Sequence, residues 1–237
     1  MKYNPYPEIK LPFGKDNRWF AYLFDSILKV DSSFIEYTVK IKEGGEELCN
    51  SDTIAHLERV FAYELYRQWM NCLEKNGVKN LVVNGEVGKY LKDVFESYDP
   101  NDKKGKDNYP DLVLHKSQGS DEQQIMVCEI KRTGANDSDL LRDLYKLYCF
   151  LDEEVFWKKT FDYGVFILEG KKASLDDLKI KPGTTTKFKD KDISIESYLE
   201  DEKKKEKFPR ILCVSYDGIN INYETLNNLA DSIIKDK

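Results

Sequence analysis

The sequence is poor in several residue types on which common chemistries depend. Only two histidines, His56 and His115, occur among 237 residues. The five cysteines are odd in number and widely spaced, which argues against a disulfide framework and against a cysteine-based zinc site. No Gly-x-Ser-x-Gly segment and no P-loop is present, so the sequence offers no signature of a serine hydrolase or of a P-loop nucleotide-binding protein.

The chain also lacks long apolar runs. No stretch approaches the roughly 20 residues that a membrane helix needs, and the N-terminus has no apolar segment of the secretory type. We therefore expect a cytoplasmic protein with no membrane partner. The net charge of −6 and the pI near 5.2 argue against non-specific coating of nucleic acid, although they leave room for a local basic groove.

The pattern along the chain predicts an α/β fold with a mixed sheet. Residues 53–76 have helical apolar spacing and end at Gly77, and residues 136–151 form a second amphipathic helix. Strands alternate with these helices, which is typical of the α/β class. We divide the chain into an N-terminal extension (1–52), a core (53–170) and a C-terminal extension (171–237), which together form one compact domain. We expect the C-terminal extension to contain a mobile loop near 181–209, then a strand or hairpin and a closing helix.

Charged residues interrupt the two most apolar strands. The segment "YPDLVLH" carries Asp111, and "IMVCEIKR" carries Glu129 and Lys131. Alternation along a strand gives Glu129 and Lys131 the same face. Charges at the end of such an apolar strand are costly unless they are paired or bound to metal. A short polar connection predicts a hairpin, in which Asp111 and Glu129 converge at one end of the sheet.

The first long helix supplies a further acid. Its apolar stripe, read from the sequence, includes position 64, which is a glutamate. We therefore expect Glu64 to face the same end of the sheet. Glu58 is the weaker candidate because it lies off the predicted stripe.

Two or three carboxylates without histidine form a hard oxygen site, which suits Mg²⁺ or Mn²⁺ better than zinc. A lysine beside such an ion can orient or deprotonate a water, or neutralise charge that develops in the transition state. This combination fits phosphodiester hydrolysis.

These residues resemble the signature of the PD-(D/E)xK nuclease superfamily: "PD" at 110–111, followed by "EIK" at 129–131 in an apolar strand. The order of elements over residues 53–170 is also similar to that family's core. The resemblance implies a restriction-endonuclease-like fold, a DNA substrate and a magnesium or manganese ion. Its ligands would be Asp111, Glu129, the Ile130 carbonyl and Glu64, with Lys131 catalytic.

Two alternatives remain open. The chain is either a binding module of a defence or mobile-element system, acting with a protein partner and with the site vestigial or conditional, or an unrelated α/β protein whose charges form a structural cluster. Arg142 and Lys146, four residues apart on the second helix, face phosphates or solvent, and we favour solvent.

Overall fold

The computed structural model describes residues 18–35, 42–43, 46–47, 51–85, 110–116, 124–153, 160–188 and 191–234. Six α-helices lie in these ranges: α1 Arg18–Ile27, α2 Ser51–Lys75, α3 Asp137–Leu151, α4 Ile195–Glu200, α5 Glu202–Lys205 and α6 Leu226–Leu229. The strands are β1 Lys42–Glu43, β2 Glu46–Glu47, β3 Leu81–Gly85, β4 Leu112–Lys116, β5 Gln124–Arg132, β6 Tyr163–Glu169, β7 Thr185–Phe188, β8 Lys191–Ser194, β9 Ile211–Tyr216 and β10 Ile221–Thr225. Most of the predicted N-terminal extension lies outside the described residues.

A mixed six-stranded sheet forms the centre, in the order β10-β9-β6-β5-β4-β3. The inner strands β5, β6 and β9 are parallel, and the flanking pairs β3–β4, β4–β5 and β9–β10 are antiparallel. The predicted α/β class and the antiparallel pairing of the two charged strands are therefore confirmed. The sheet includes β9 and β10, so it continues beyond residue 170.

Helices cover both faces of this sheet, and each face has its own apolar core. α1 and α2 pack on one face, where Phe20, Phe61 and Trp69 are fully buried. α3 and the segment that contains β7, β8 and α4 cover the other face, with Leu144 and Tyr198 at its centre. Strands that are apolar on both sides are typical of a sheet covered by two layers. The inner strands therefore tolerate charge only near their ends.

The ends of α2 and α3 follow local sequence signals. Gly77 takes a positive φ of 69°, and the Val78 amide donates to the Leu73 carbonyl, so the helix stops where the sequence predicted. At the start of α3 the Asn136 side chain accepts a hydrogen bond from the Asp139 amide at 2.8 Å. This cap fixes the first turn of the helix that faces the charged strand.

The C-terminal region differs from the sequence prediction in two places. Residues 181–209 were predicted as a mobile loop, but they contain the hairpin β7–β8 and the short helices α4 and α5. The predicted closing helix is only the four-residue α6, because residues 221–225 pair with β9 as an edge strand. Tyr223 and Thr225 thus take part in the sheet ladder rather than in a helix.

Among the described residues, no helix combines the length and the apolarity that crossing a membrane requires.

Candidate functional site

The charged residues of β4 and β5 meet at one edge of the sheet. Leu112 pairs with Cys128, so the next pair outward sets Asp111 opposite Glu129. The Asp111 carboxylate oxygen Oδ2 accepts a hydrogen bond from the Ile130 amide at 2.7 Å. The predicted convergence of Asp111 and Glu129 at the carboxyl end of β5 is therefore present in the structure.

Glu129 is buried and paired with a lysine of α3. Glu129 is 1% exposed, and its Oε2 lies 2.7 Å from the Lys146 ammonium nitrogen Nζ. Lys146 is itself buried. The prediction that Lys146 faces solvent was wrong, because α3 packs directly against the strand and turns this side chain inward.

Lys131 lies between two acids from different helices. Its Nζ is 3.1 Å from Asp143 Oδ2 on α3 and 3.5 Å from Glu58 Oε2 on α2. The other Glu58 oxygen, Oε1, accepts from the Arg132 amide at 3.2 Å. Glu58 thus closes the end of β5 from the α2 side, and Asp143 closes it from the α3 side.

Burial and crowding shift the acids toward their neutral forms. Burial raises the pKa of Asp111 to about 6, although Lys146 and the Ile130 amide oppose the shift. Burial likewise raises the pKa of Glu129 well above its usual range; Lys146 lowers it, while Asp111 and Asp143 raise it further. Proximity to two lysines therefore does not fully offset the loss of water around these carboxylates.

The two lysines are shifted toward their charged forms. Burial acts to lower the pKa of Lys131, but attraction from Asp143, Glu58 and Asp111 outweighs it, so the pKa lies above its ordinary value. The same balance raises the pKa of Lys146, with Glu129 as its strongest attracting neighbour. Both lysines therefore remain protonated ammonium groups at neutral pH.

Two carboxylate oxygens in the cluster lack hydrogen bonds. Among the described residues, Glu129 Oε1 and Asp143 Oδ2 are buried without a hydrogen-bond partner. Asp143 Oδ2 is within ion-pair distance of Lys131, but this approach is not directed as a hydrogen bond. Orphaned buried acceptors are costly and call for an explanation, and here they lie on one strand and on the helix packed against it.

Glu64 does not join this cluster. Its carboxylate accepts hydrogen bonds from Arg67 and Gln68 on its own helix, at 2.5–2.8 Å. Glu64 is buried as predicted, but it lies six residues after Glu58, which is about 9 Å along the helix axis. The sequence prediction that Glu64 meets the strand acids therefore does not hold; Glu58 is there in its place.

The stripe predicted for α2 was correct at position 64, because Glu64 is buried together with Phe61, Leu65 and Trp69. The prediction was wrong about the level along the helix, since it is Glu58, one turn before Phe61, that contacts the end of β5. Asp143 gave no distinct signal, because an acid beside Arg142 on an amphipathic helix resembles a solvated face.

On the opposite face of the same edge, Glu169 ends β6 beside Arg132. Glu169 is 1% exposed, and neither of its carboxylate oxygens has a hydrogen-bond partner among the described residues. Burial raises its pKa to about 8, with Arg132 lowering it and Glu58 raising it. The sequence singled out neither Glu169 nor its environment.

The described part of the chain contains no group of three or more histidine, cysteine or acidic side chains arranged to hold a metal ion. No protein-family model, no curated protein and no solved structure matches the chain. The cluster therefore has to be interpreted from its own geometry.

Proposed function

We propose that the chain is a divalent-metal-dependent phosphodiesterase of the PD-(D/E)xK type, with a restriction-endonuclease-like core and DNA as its substrate. The observation that carries this proposal is the meeting of Asp111, Glu129 and Lys131 at one sheet edge, although the two acids are 18 positions apart in the sequence. The acid that α2 brings to this edge is Glu58 rather than Glu64, and its contact is with Lys131.

The donor chemistry of the cluster fits a hard cation such as Mg²⁺ or Mn²⁺. All candidate ligands are carboxylates or a backbone carbonyl, which such ions prefer. Glu129 Oε1 and Asp143 Oδ2 have no hydrogen-bond partner among the described residues, and burial raises the pKa of Glu129 and of Asp111 despite the nearby Lys146, so a further cation would favour their charged forms. Asp111, Glu129 and the Ile130 carbonyl would hold the ion.

A bound ion would polarise the scissile phosphate and lower the pKa of the attacking water. The residues around it have separate tasks. Lys131 stays protonated, so it acts as a fixed positive charge beside the developing negative charge rather than as a base. Asp143 and Glu58 hold its ammonium from two sides, which keeps the charge in place before substrate binds.

The test is Mg²⁺- or Mn²⁺-dependent cleavage of plasmid and branched DNA. We expect Asp111→Asn and Lys131→Met to lose at least 100-fold in rate, because each removes a charge from the reacting centre. Glu58→Gln and Glu64→Gln form a matched pair on one helix: the first should slow cleavage and the second should leave it unchanged. Equal cleavage by the wild type, Asp111→Asn and Lys131→Met would eliminate this mechanism.

A second candidate is a nuclease-like binding module without catalysis. The observation in its favour is that the acids already have internal cations, Lys146 for Glu129 and Lys131 for Asp143. Calorimetric titration of the full chain with Mn²⁺ separates the two candidates. Heat of binding that disappears in Glu129→Gln supports the enzyme, and no binding by the wild type supports the module.

A further inference from the structure

Lys146 lies beside Glu129, the buried carboxylate that a divalent cation would be expected to neutralise. Its ammonium lies 2.7 Å from Glu129 Oε2 in a site where both residues are buried. The neighbouring pair, Lys131 and Asp143, runs in the opposite sense: the strand supplies the lysine and the helix supplies the acid. Two charges three residues apart on α3 thus face two charges two residues apart on β5.

This pairing leaves Glu129 half used. Oε2 is engaged by Lys146, while Oε1 has no hydrogen-bond partner among the described residues. Asp143 Oδ2 also lacks a directed hydrogen bond, but the Lys131 ammonium lies 3.1 Å from it, so Glu129 Oε1 is the freer of the two oxygens. A carboxylate with one free buried oxygen next to an ammonium can accept a second cation only if the first one releases it or shares it.

Stability alone does not account for these buried charges. Well-packed apolar residues of similar volume hold two elements together as well as a buried ion pair does, and often better. The rest of the α3 interface is apolar, with Leu140, Leu144 and Leu147 buried. The lysine at position 146 therefore needs an explanation other than packing.

We propose that Lys146 is an internal competitor for the divalent ion: its ammonium occupies Glu129 in the metal-free protein, and it must release or share this carboxylate when the ion binds. Lys146 then sets the metal affinity of the site and keeps the buried acids neutralised until an ion arrives. This inference rests on the proposed function, because it concerns the same carboxylates.

The experiment is titration of the full chain with Mn²⁺ by calorimetry, for the wild type, Lys146→Gln and Lys146→Arg. We expect Lys146→Gln to bind Mn²⁺ at least tenfold more tightly, since the amide can still donate to Glu129 but carries no competing charge. Lys146→Arg should bind more weakly than the wild type, because a guanidinium can engage both oxygens of Glu129. Lys205→Gln is the matched control, since it removes an ammonium paired with Glu202 at an exposed position; it should bind like the wild type.

Unchanged or weaker binding by folded Lys146→Gln overturns the inference. Circular dichroism without metal checks the fold of each variant. If Lys146→Gln folds only when Mn²⁺ is added, the ion is replacing the lost ammonium, which supports the inference. If it does not fold in either condition, Lys146→Arg decides, and binding as tight as that of the wild type overturns the inference.

The inference and the proposed function fail in different ways. Absence of Mn²⁺ binding by both the wild type and Lys146→Gln overturns both. Tighter binding by Lys146→Gln without any DNA cleavage supports the competition and overturns the nuclease. If the wild type cleaves DNA and substitutions at position 146 leave the Mn²⁺ affinity unchanged, the nuclease is supported and the competition is overturned.

Discussion

The two faces of the sheet treat buried charge differently at the same edge. On the α3 face, Glu129 meets Lys146 and Lys131 meets Asp143, so each buried charge has an opposite charge within 3.1 Å. On the α2 face, Glu169 is just as buried but has no hydrogen-bond partner among the described residues. Burial is the largest cause of the raised carboxylate pKa on both faces, even for Glu129 with its directed contact to Lys146, so the faces differ in the pairing of the charge and not in the direction of the pKa shift.

The largest expected effect comes from breaking the pairing on the α3 face. Lys146→Met should lower the free energy of unfolding by about 3–5 kcal/mol in metal-free buffer, because it leaves Glu129 buried without a cation. Urea denaturation measures this loss. The double variant Glu129→Leu with Lys146→Met is the control and should recover most of it. A loss below about 1 kcal/mol in the single variant would show that the pair is not buried as described.

The second prediction concerns Glu169 on the α2 face, whose burial without a hydrogen-bond partner should make the free energy of unfolding depend on pH. The pKa of Glu169 is raised from 4.5 to about 8, so the unfolded chain releases this proton at lower pH than the folded protein does. The stability that the neutral Glu169 contributes is therefore fully present below about pH 4.5 and decreases as pH rises to about 8, and about 3 kcal/mol of it has been lost by pH 7. Glu169→Gln should reduce the slope between pH 5 and pH 8, and the part due to Asp111 and Glu129 should remain.

Denaturation at several pH values measures that slope. Glu200→Gln, at an exposed position, is the matched control and should keep the slope of the wild type. If Glu169→Gln and Glu200→Gln gave the same slope, the ionisation of Glu169 would not be coupled to folding.

The turn that follows Glu169 offers a smaller test of the same edge. Gly170 has a φ of 144°, and a Cβ there would lie 2.4 Å from Thr133 Oγ1. Gly170→Ala should cost about 1–3 kcal/mol through backbone strain, measured as a lower denaturation midpoint. Gly134, with a φ of 88° and open space around it, is the comparison site. Gly134→Ala carries conformational strain without the clash, so it should cost less.

The smallest effect is expected at Glu64, away from the cluster. Hydrogen bonding to Arg67 lowers its pKa, so its stabilising contribution is present above about pH 4.5 and is lost as pH falls through the lowered value. Glu64→Gln should change stability at pH 7 by less than about 1 kcal/mol, because the Arg67 partner is largely exposed. An effect as large as that of Lys146→Met would place Glu64 in the functional cluster after all.

The sequence by itself determined which strands carry charge. Alternation within "IMVCEIKR" separates Glu129 and Lys131 from Cys128 and Ile130, and the structure has this alternation. It fails only near the start of the strand, where Ile125 packs with Met126 on the α2 side beside an irregularity in the β4–β5 register. A bulge changes the face of a residue without changing the sequence pattern around it.

Only the tertiary structure decided which residues complete the cluster. Strand periodicity is a local property with a period of two, so Asp111, Glu129 and Lys131 could be assigned from short segments. Which residues of α2 and of α3 lie against the sheet edge depends on how each helix packs on the sheet. That packing brought Glu58 rather than Glu64 to the end of β5, and it turned Asp143 and Lys146 inward. Periodicity locates the apolar stripe of a helix, but it does not show which polar residues beside that stripe lie against the sheet.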